Sequence, residues 1–467
     1  MDPRKVQNDR LQALIKKAAW SGQGLAEAVN AVGREANLPL GYTRSSAGQW
    51  LAGMTPRRPV PHIVAEALSR RLGRPVTPAE AGFDESGPED GESPLDRLIA
   101  LAVAADPVNV GTSPYRVYHL SGCPRDALPP VSAPPDALGG SVRVGRKDVE
   151  SAEVMLRLFT DADAAGGAGH VRVGLSLYLA NTIAPMLAAA PEEVRAELFS
   201  VAARLGYLCG VMCYYDELQG FAQQYFLVAL RLAAEAAESG VQARVLCAMS
   251  VQAGALGHHD HALGLSRAAV DTAAGGLPPQ EFARVLSQRA VARAAAGETN
   301  GALADMAAAQ AQLKRAGGGT GTPAATLAYQ RGLMLALLGD TSKAIAQMEI
   351  SVHHRPATER HFRAITLSRI AGLQLRHGHL EEAVATWHRF LDDYPAINSG
   401  RARAALAVLQ SGVRPYRGIP SARALLARAL SLQQRLPHLT AGPRTAPAFP
   451  SRVTDVRVGF PGSPQPA

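Results

Sequence analysis

The feature that most constrains this chain is a self-similar segment running from about Arg204 to Pro395. Five alanines recur along it at steps of 40, 40, 42 and 39 residues, with a small residue twelve positions before each alanine. The alanines are Ala222, Ala262, Ala302, Ala344 and Ala383, and the small residues are Gly210, Ser250, Ala290, Gly332 and Ala371. Small side chains at fixed spacing let two helices approach closely, and such a period is typical of stacked helical hairpins. The segment therefore predicts an α-solenoid.

The later units of this segment resemble the tetratricopeptide repeat. The fifth unit has a glycine turn at Gly378, then Ala383, Trp387, Phe390 and a terminal Pro395. The fourth and third units keep the glycine-acid turn, as Gly339-Asp340 and Gly297-Glu298. The steps exceed the roughly 34 residues of that family, so helices or connections here should be longer. The resemblance implies a solenoid groove that binds a peptide or protein ligand.

Positive charge is concentrated near the N-terminus. The chain has a net charge of +8, and residues 1–83 hold twelve Lys/Arg against six Asp/Glu. Helical spacing predicts four helices there: residues 8–19, a second after Ser21, a short third capped by Thr43 or Ser45, and a fourth from Val60 to Leu72. A basic surface confined to one small domain is typical of phosphate binding.

This four-helix region resembles the Cro/CI-type helix-turn-helix domain. The matching residues are Leu25-Ala26 on the positioning helix and the run Arg44–Gly53 on the recognition helix. The resemblance implies that double-stranded DNA is contacted by Arg44, Ser45, Ser46 and Gln49, and Arg57 and Arg58 suit phosphates. The 25 residues from Leu25 to Trp50 exceed the family's spacing, so the second helix is extended or the turn holds an insertion. A patch of solvated arginines remains the alternative.

A second candidate site is a ladder of arginines on the first helix of successive units. Arg204, Arg244 and Arg284 each stand six residues before a small position. Stacked guanidinium groups could bind a carboxylate or another anionic ligand, with Tyr207 and Tyr214 beside them. The alternative is that these arginines are solvent-facing helix ends that cover their neighbours.

The remaining chain divides by composition. Residues 84–147 read as an acidic and Pro-rich linker with one short helix, and residues 148–203 as a helical lead-in with helices near 148–164, 171–189 and 191–203. The solenoid should span 204–436, with capping helices at 401–411 and 420–436. Residues 437–467 are Pro/Gly-rich and are predicted to be disordered.

Other motifs have simpler interpretations than a chemical site. Cys209, Cys213, Cys123 and Cys247 form no CxxC pair, which favours buried free thiols. The run His258–His261 falls at a predicted turn and is interpreted as solvated, as are His353-His354 and His377/His379. Gly317–Gly321 lacks a phosphate-loop ending and is interpreted as a linker. We therefore predict no metal, no cofactor and no catalysis.

The chain is predicted to be all-α, with a small helix-turn-helix domain followed by a tetratricopeptide-type solenoid. Its start is polar, and no stretch was expected to reach the length of a membrane span, which predicts a cytoplasmic protein. The arrangement resembles actinobacterial transcription regulators of development and secondary metabolism (the NsdA-like group). This implies a DNA-binding regulator whose solenoid binds a peptide or protein and controls the N-terminal DNA-binding domain. The resemblance also allows a homodimer. The alternative is a scaffold that acts through protein-protein contacts alone.

Overall fold

The structure is a computed structural model. It describes residues 7–83, 93–105, 109–120, 144–273 and 276–435. Within these ranges the protein is all-α and contains no β-strand, as the sequence predicted. The acidic stretch 84–92, the Pro-rich stretch 121–143 with Cys123, and residues 436–467 with the predicted disordered tail lie outside the described residues.

A four-helix head occupies residues 7–83. Its helices are α1 (Asp9–Lys17), α2 (Gly22–Glu35), α3 (Arg44–Leu51) and α4 (Val60–Leu72). Ser21 caps α2 by accepting a hydrogen bond from the backbone N–H of Gly24, and α4 ends at Gly73, whose φ is +68°. Both ends agree with the sequence prediction. The apolar sides of the four helices meet in one core around Trp50 and Ile63.

The segment between head and solenoid is more structured than a linker. Its helices are α5 (Pro94–Ala104), α6 (Arg146–Gly166), α7 (Arg172–Tyr178), which continues through a π turn (Leu179–Ile183), and α8 (Ala184–Ala188). Leu98 and Leu101 of α5 are fully buried in the solenoid core. Helix α5 is the one short helix expected within residues 84–147, and its apolar side covers the first hairpin.

Five consecutive helical hairpins form the solenoid. They are α9–α10 (Glu192–Tyr215, Gln219–Glu235), α11–α12 (Ser239–Ala255, His259–Ala273), α13–α14 (Pro279–Ala295, Thr299–Arg315), α15–α16 (Gly321–Leu337, Thr341–His354) and α17–α18 (Arg360–Arg376, Leu380–Asp393). Two more helices, α19 (Gly400–Val413) and α20 (Pro420–Arg435), follow as the predicted caps. The expected boundary at 203/204 falls inside α9, so the third lead-in helix is part of the first hairpin.

The repeated small residues are the points where paired helices touch. A Cβ added to Gly210 would lie 2.6 Å from the Phe226 ring, and one added to Gly332 would lie 2.6 Å from Met348. The Ser250 hydroxyl donates a 2.8 Å hydrogen bond to the carbonyl oxygen of Ala262, one of the repeat alanines. The close approach that the spacing predicted is therefore confirmed.

Helix α9 is a long apolar helix of the core. Within the described residues it is the one helix whose length and composition would also suit a membrane span, contrary to the sequence expectation that no stretch comes close. However, 72% of its 18-residue apolar window is buried against neighbouring helices. Its apolar composition is therefore explained by burial in the protein core, where a helix needs apolar residues as a membrane-spanning helix does.

The C-terminal end of the solenoid returns to its start. The backbone N–H of Asn398 donates to the carbonyl oxygen of Gly166 at 2.8 Å, and the Asn398 carbonyl accepts from the N–H of Gly169 at 2.8 Å. Two residues later the N–H of Gly400 donates to Asp216 at 3.1 Å. We call these contacts of residues 398–401 with α6 and the α9–α10 turn the closing contact. It joins segments that are 184 residues or more apart in sequence.

Side chains extend the closing contact into the solenoid. Arg401 donates to Glu217 at 3.0 Å, and its guanidinium carbon lies 4.0 Å from the centre of the Tyr214 ring. His361, at the start of α17, is fully buried and lies 3.1 Å from the Ser399 hydroxyl. Because its ring is stacked edge-on against Tyr215 at 4.7 Å, the imidazole has little access to water.

This burial predicts an acid-sensitive closing contact. Burial, followed by the charges of Arg401 and Arg355, lowers the pKa of His361 to about 3, against about 6.5 in an unfolded chain. The stability contributed by neutral His361 is therefore complete above about pH 6.5 and is lost as the pH falls towards about 3. We expect His361→Gln to reduce the slope of the unfolding free energy against pH in this window, by up to about 1.4 kcal/mol per pH unit.

Urea unfolding between about pH 7.5 and about pH 5 measures this slope. The control is His377→Gln, because His377 is exposed at the turn after α17. Equal slopes in wild type and His361→Gln would contradict the assignment.

Candidate nucleic-acid interface

Helix α3 presents a polar face to solvent. Its buried side consists of Ala47 and Trp50, and the Trp50 ring packs edge-on against Tyr42 at 5.0 Å. On the other side of the helix, Arg44, Ser45, Gly48 and Gln49 are all exposed. The helix therefore carries an arginine and a glutamine, whose side chains can read guanine and adenine edges, on one accessible face.

Ser46 has a different position from the other predicted contacts. Helix α3 begins after Thr43, which is the N-cap, so the alternative cap at Ser45 is wrong. The Ser46 hydroxyl accepts a hydrogen bond from the backbone N–H of Thr43 at 3.3 Å and is half-buried. Ser46 thus stabilises the start of the helix, and the exposed set reduces to Arg44, Ser45 and Gln49. Arg57 and Arg58 are exposed in the loop that follows α3.

The unusual spacing between α2 and α3 is taken up by the connection. Residues 36–43 link the two helices, where a helix-turn-helix usually has a turn of about 3–4 residues. The Asn30 side-chain amide holds this connection, since it donates to the Tyr42 carbonyl at 2.8 Å and accepts from the Tyr42 N–H at 2.9 Å. The insertion is therefore an ordered part of the head and fixes where α3 begins.

At least half of the arginines between 44 and 74 are used within the head. Arg70 donates to both oxygens of Glu35, at 2.9 and 2.8 Å, and to Glu66 at 2.6 Å. Arg71 donates to the Ala18 carbonyl at 2.9 Å, and Arg74 pairs with Glu80 at 2.6 Å. The exposed positive charge of this stretch is therefore smaller than its composition suggested, and it is concentrated on Arg44, Arg57 and Arg58.

The head is attached to the solenoid by residues 113–120, which we call the wedge. Val117 of the wedge is buried in the head core, whereas Tyr118 is buried in the solenoid core. On the solenoid side, Gln223 exchanges two hydrogen bonds with the backbone of His119, at 2.8 and 2.7 Å. On the head side, Arg116 donates to the Ala36 carbonyl at the end of α2, at 2.9 Å. The wedge is thus bonded to both units.

A buried ionic cluster completes this attachment. Glu66 of α4 is fully buried and accepts from the Leu120 N–H at 2.9 Å, while its other oxygen lies 3.0 Å from His119 Nδ1. Burial acts to raise the pKa of Glu66, but the hydrogen bond from His119 and the charges of His119 and Arg70 outweigh it and hold the pKa below its usual value. Glu66 is therefore held in its ionised form by its contacts with Arg70, His119 and the Leu120 backbone.

His258 also belongs to this cluster. Its ring stacks on Tyr118, with centres 5.7 Å apart and planes 8° from parallel, and its Nε2 lies 3.4 Å from Glu35. The interpretation of this turn as solvated is wrong for His258, because the head covers it. His377 and His379 are exposed, as predicted. Among the described residues no three His, Cys, Asp or Glu side chains are grouped so that they could hold a metal.

The predicted arginine ladder is only partly available to a ligand. Arg204 forms an ion pair with Glu153 of α6, and Arg244 pairs with Glu281 of α13 at 3.2 Å. Arg284 is exposed beside Gln280, Thr322 and Thr326.

The two tyrosines predicted beside the arginine ladder differ in how far they are buried. Tyr207 is half-buried, with its ring centre 6.2 Å from that of Phe226, and Tyr214 is buried beneath Arg401. The strip of three open guanidinium groups is therefore not present in this conformation, and Arg284 is its open member.

The head now has independent support as a unit. Residues 11–84 match the SP15 N-terminal domain family. The matched range begins within α1 and ends one residue after the described head, so the family boundary and the structural boundary agree. A comparison with curated proteins found no match for the chain. The family likeness therefore covers the head, and the hairpins are established by the structure.

Proposed function

We propose that the protein is a DNA-binding transcription regulator whose head contacts the major groove through α3. The observation that carries the proposal is that the wedge and the ionic cluster occupy α2 and α4, while the polar face of α3 stays exposed. Arg44 and Gln49 lie at the two edges of that exposed arc, about 7.5 Å apart along the helix axis, within reach of neighbouring base pairs. Arg57 and Arg58 are placed for backbone phosphates, which fix register without reading sequence.

The solenoid is proposed to bind a peptide or protein as tetratricopeptide repeats do. Its likeness to that family rests on the small-residue spacing and on the glycine turns. Arg284 with its neighbouring polar side chains supplies an anion-binding point. Since the wedge bonds the head to the first hairpin, a ligand that changed solenoid curvature would also move α3. Such control requires different ligand affinities in the two arrangements. We place this regulator in the cytoplasm, with a homodimer as the form that would read two half-sites.

A protein-interaction scaffold is the second candidate. It is favoured by the eight-residue connection between α2 and α3, because this departs from the short turn of DNA-reading domains. In a scaffold the exposed face of α3 would contact a protein instead.

Binding of the full-length protein to genomic DNA fragments distinguishes these candidates. We expect sequence-selective binding that weakens steeply with salt. The double variant Arg44→Ala/Gln49→Ala should lose that selectivity, at about 1–3 kcal/mol for each base contact.

The matched control is Arg157→Ala/Gln310→Ala, which removes one exposed arginine and one exposed glutamine from α6 and α14. Selectivity that survives in the α3 variant, or no DNA binding at low salt, would favour the scaffold.

A further inference from the structure

The end of the solenoid carries a second concentration of positive charge. Residues 394–435 contain seven arginines and no Asp or Glu. They include α19, α20 and the elbow between them, Arg414–Ile419, and we call residues 400–435 the basic cap. A chain segment without any carboxylate cannot neutralise its own arginines, so their charge must be met by other segments or by solvent and ligands.

The basic cap differs in this respect from the five hairpins. Within the hairpins at least half of the sixteen arginines have a carboxylate partner. Their ion pairs are Arg204–Glu153, Arg244–Glu281, Arg267–Glu298, Arg289–Asp305, Arg293–Asp305, Arg355–Glu359, Arg363–Asp393 and Arg389–Glu349. In the cap, Arg401 pairs with Glu217 and Arg428 with Asp392. Four others, Arg414, Arg417, Arg423 and Arg435, are exposed and have no carboxylate partner among the described residues.

Three of these charges lie within the elbow or in the helical turn after it, close in sequence to an exposed aromatic residue. Arg414 and Tyr416 belong to one 3₁₀ turn (Arg414–Tyr416), Arg417 follows it, and Arg423 lies in the first turn of α20. Tyr416 is 38% exposed although it is a large side chain. Guanidinium groups bind phosphates with two parallel hydrogen bonds, and an exposed aromatic ring among them adds contact with sugar or base.

The closing contact attaches the cap at the same end of the first hairpin as the head. Gly400, the first residue of α19, bonds to Asp216 before α10 begins, and the wedge lies against Gly220 in the first turn of α10. The elbow stands one α19 length further on, about 20 Å for 14 residues. Head and cap therefore extend from neighbouring points of one hairpin.

We propose that the basic cap is a second phosphate-binding surface and that its occupant is the backbone of double-stranded DNA. Four of its exposed guanidinium groups have no carboxylate partner among the described residues, and the cap itself contains no carboxylate. Arg414 and Arg417 lie in the elbow and not along an α-helix, so we expect the cap to contact phosphates without sequence preference. The choice of DNA rests on the proposed function of the head, whereas the phosphate chemistry does not.

The salt dependence of binding tests the cap directly. Affinity of the full-length protein for a fluorescent duplex is measured across a range of salt, for wild type and for Arg414→Ala/Arg417→Ala. Loss of two phosphate contacts should weaken binding to every sequence by the same factor. It should also reduce the slope of log affinity against log salt by about 1.8. Arg414 and Arg417 are exposed, as are both arginines of the control given below, so folding should be unaffected in both variants.

The control Arg157→Ala/Arg360→Ala removes the same net charge from α6 and α17. A slope in the cap variant equal to that of wild type would overturn the proposal. The partner of this surface would then be an acidic protein instead of DNA. An equal loss in the control also overturns it, because the effect would then be one of net charge. Wild-type binding without sequence preference but with a cap-dependent slope would support the cap and reject the proposed role of the head.

Discussion

Replacing Arg70 by methionine is expected to lower the free energy of unfolding by about 3–5 kcal/mol. Arg70 donates to Glu35, to Glu66 and to the Tyr118 carbonyl, and the Glu66 side chain is fully buried. Methionine fills much of the volume but leaves two carboxylates without their common cation. The cost of uncompensated buried charge, rather than the loss of an attraction, dominates the effect. Urea unfolding monitored by tryptophan fluorescence measures it.

The control for this prediction is Arg74→Met. Arg74 is also bonded to a carboxylate, Glu80, but both side chains are more than two-fifths exposed, and such surface pairs contribute about 0–1 kcal/mol. A second change, Glu66→Gln, made in the Arg70→Met background should recover part of the lost stability, because it removes one stranded charge. Equal effects of Arg70→Met and Arg74→Met would show that the cluster does not hold the head.

Gly220→Ala is expected to displace the wedge and destabilise the protein by about 3 kcal/mol. An added Cβ would lie 2.5 Å from the Val117 carbonyl oxygen and closer still to the backbone of Tyr115 and Arg116. Backbone atoms cannot rotate away as a flexible side chain can, so the wedge must shift from α10. Limited proteolysis should then cut the chain within the wedge, and unfolding should show a separate head transition.

The matched control is Gly264→Ala in α12, where an added Cβ meets nothing within 4 Å. There the same change should stabilise the protein by about 0.5–1 kcal/mol, because alanine is the better helix former. If both substitutions stabilised the protein, the close approach at Gly220 would be refuted.

The local part of this fold was accessible from sequence. The ladder of small residues located the helix pairs because the close approach of Gly210 or Gly332 to its partner helix demands a small side chain at that position. The start of α2 and the end of α4 were predicted correctly because each is set by one residue and its own backbone. Ser21 caps the first turn of α2, and Gly73 adopts the left-handed conformation that ends α4. In the head, the resemblance to helix-turn-helix domains implied which residues of α3 would be accessible, and Arg44, Ser45 and Gln49 are exposed.

The long-range part was not accessible. The closing contact joins Asp216 to Gly400, and it depends on solenoid curvature, which accumulates from small rotations at each hairpin and leaves no pattern in sequence. The wedge has no periodicity, so its Pro and Gly neighbours made it look like a linker.

Two local signals could have improved the site prediction. Glu66 and Arg70 stand four apart on one helix, and that spacing favours an internal ion pair over a free arginine. Thr43 and Ser46 stand three apart at a helix start, which is the spacing of a capping pair. The contact of His258 with Glu35, 223 residues away, had no such signal.

The closing contact also changes how the solenoid should lose its structure. In an open array of repeats each unit contacts its sequence neighbours alone, so the terminal units fray first and the array melts in steps. Here residues 398–401 are bonded to α6 and to the α9–α10 turn, so the last units are also neighbours of the first. Within the part of the chain that the structure describes, the fifth hairpin is therefore not a free end from which melting can start. The first hairpin, which holds the head, is therefore thermodynamically linked to an end of the molecule about two hundred residues away.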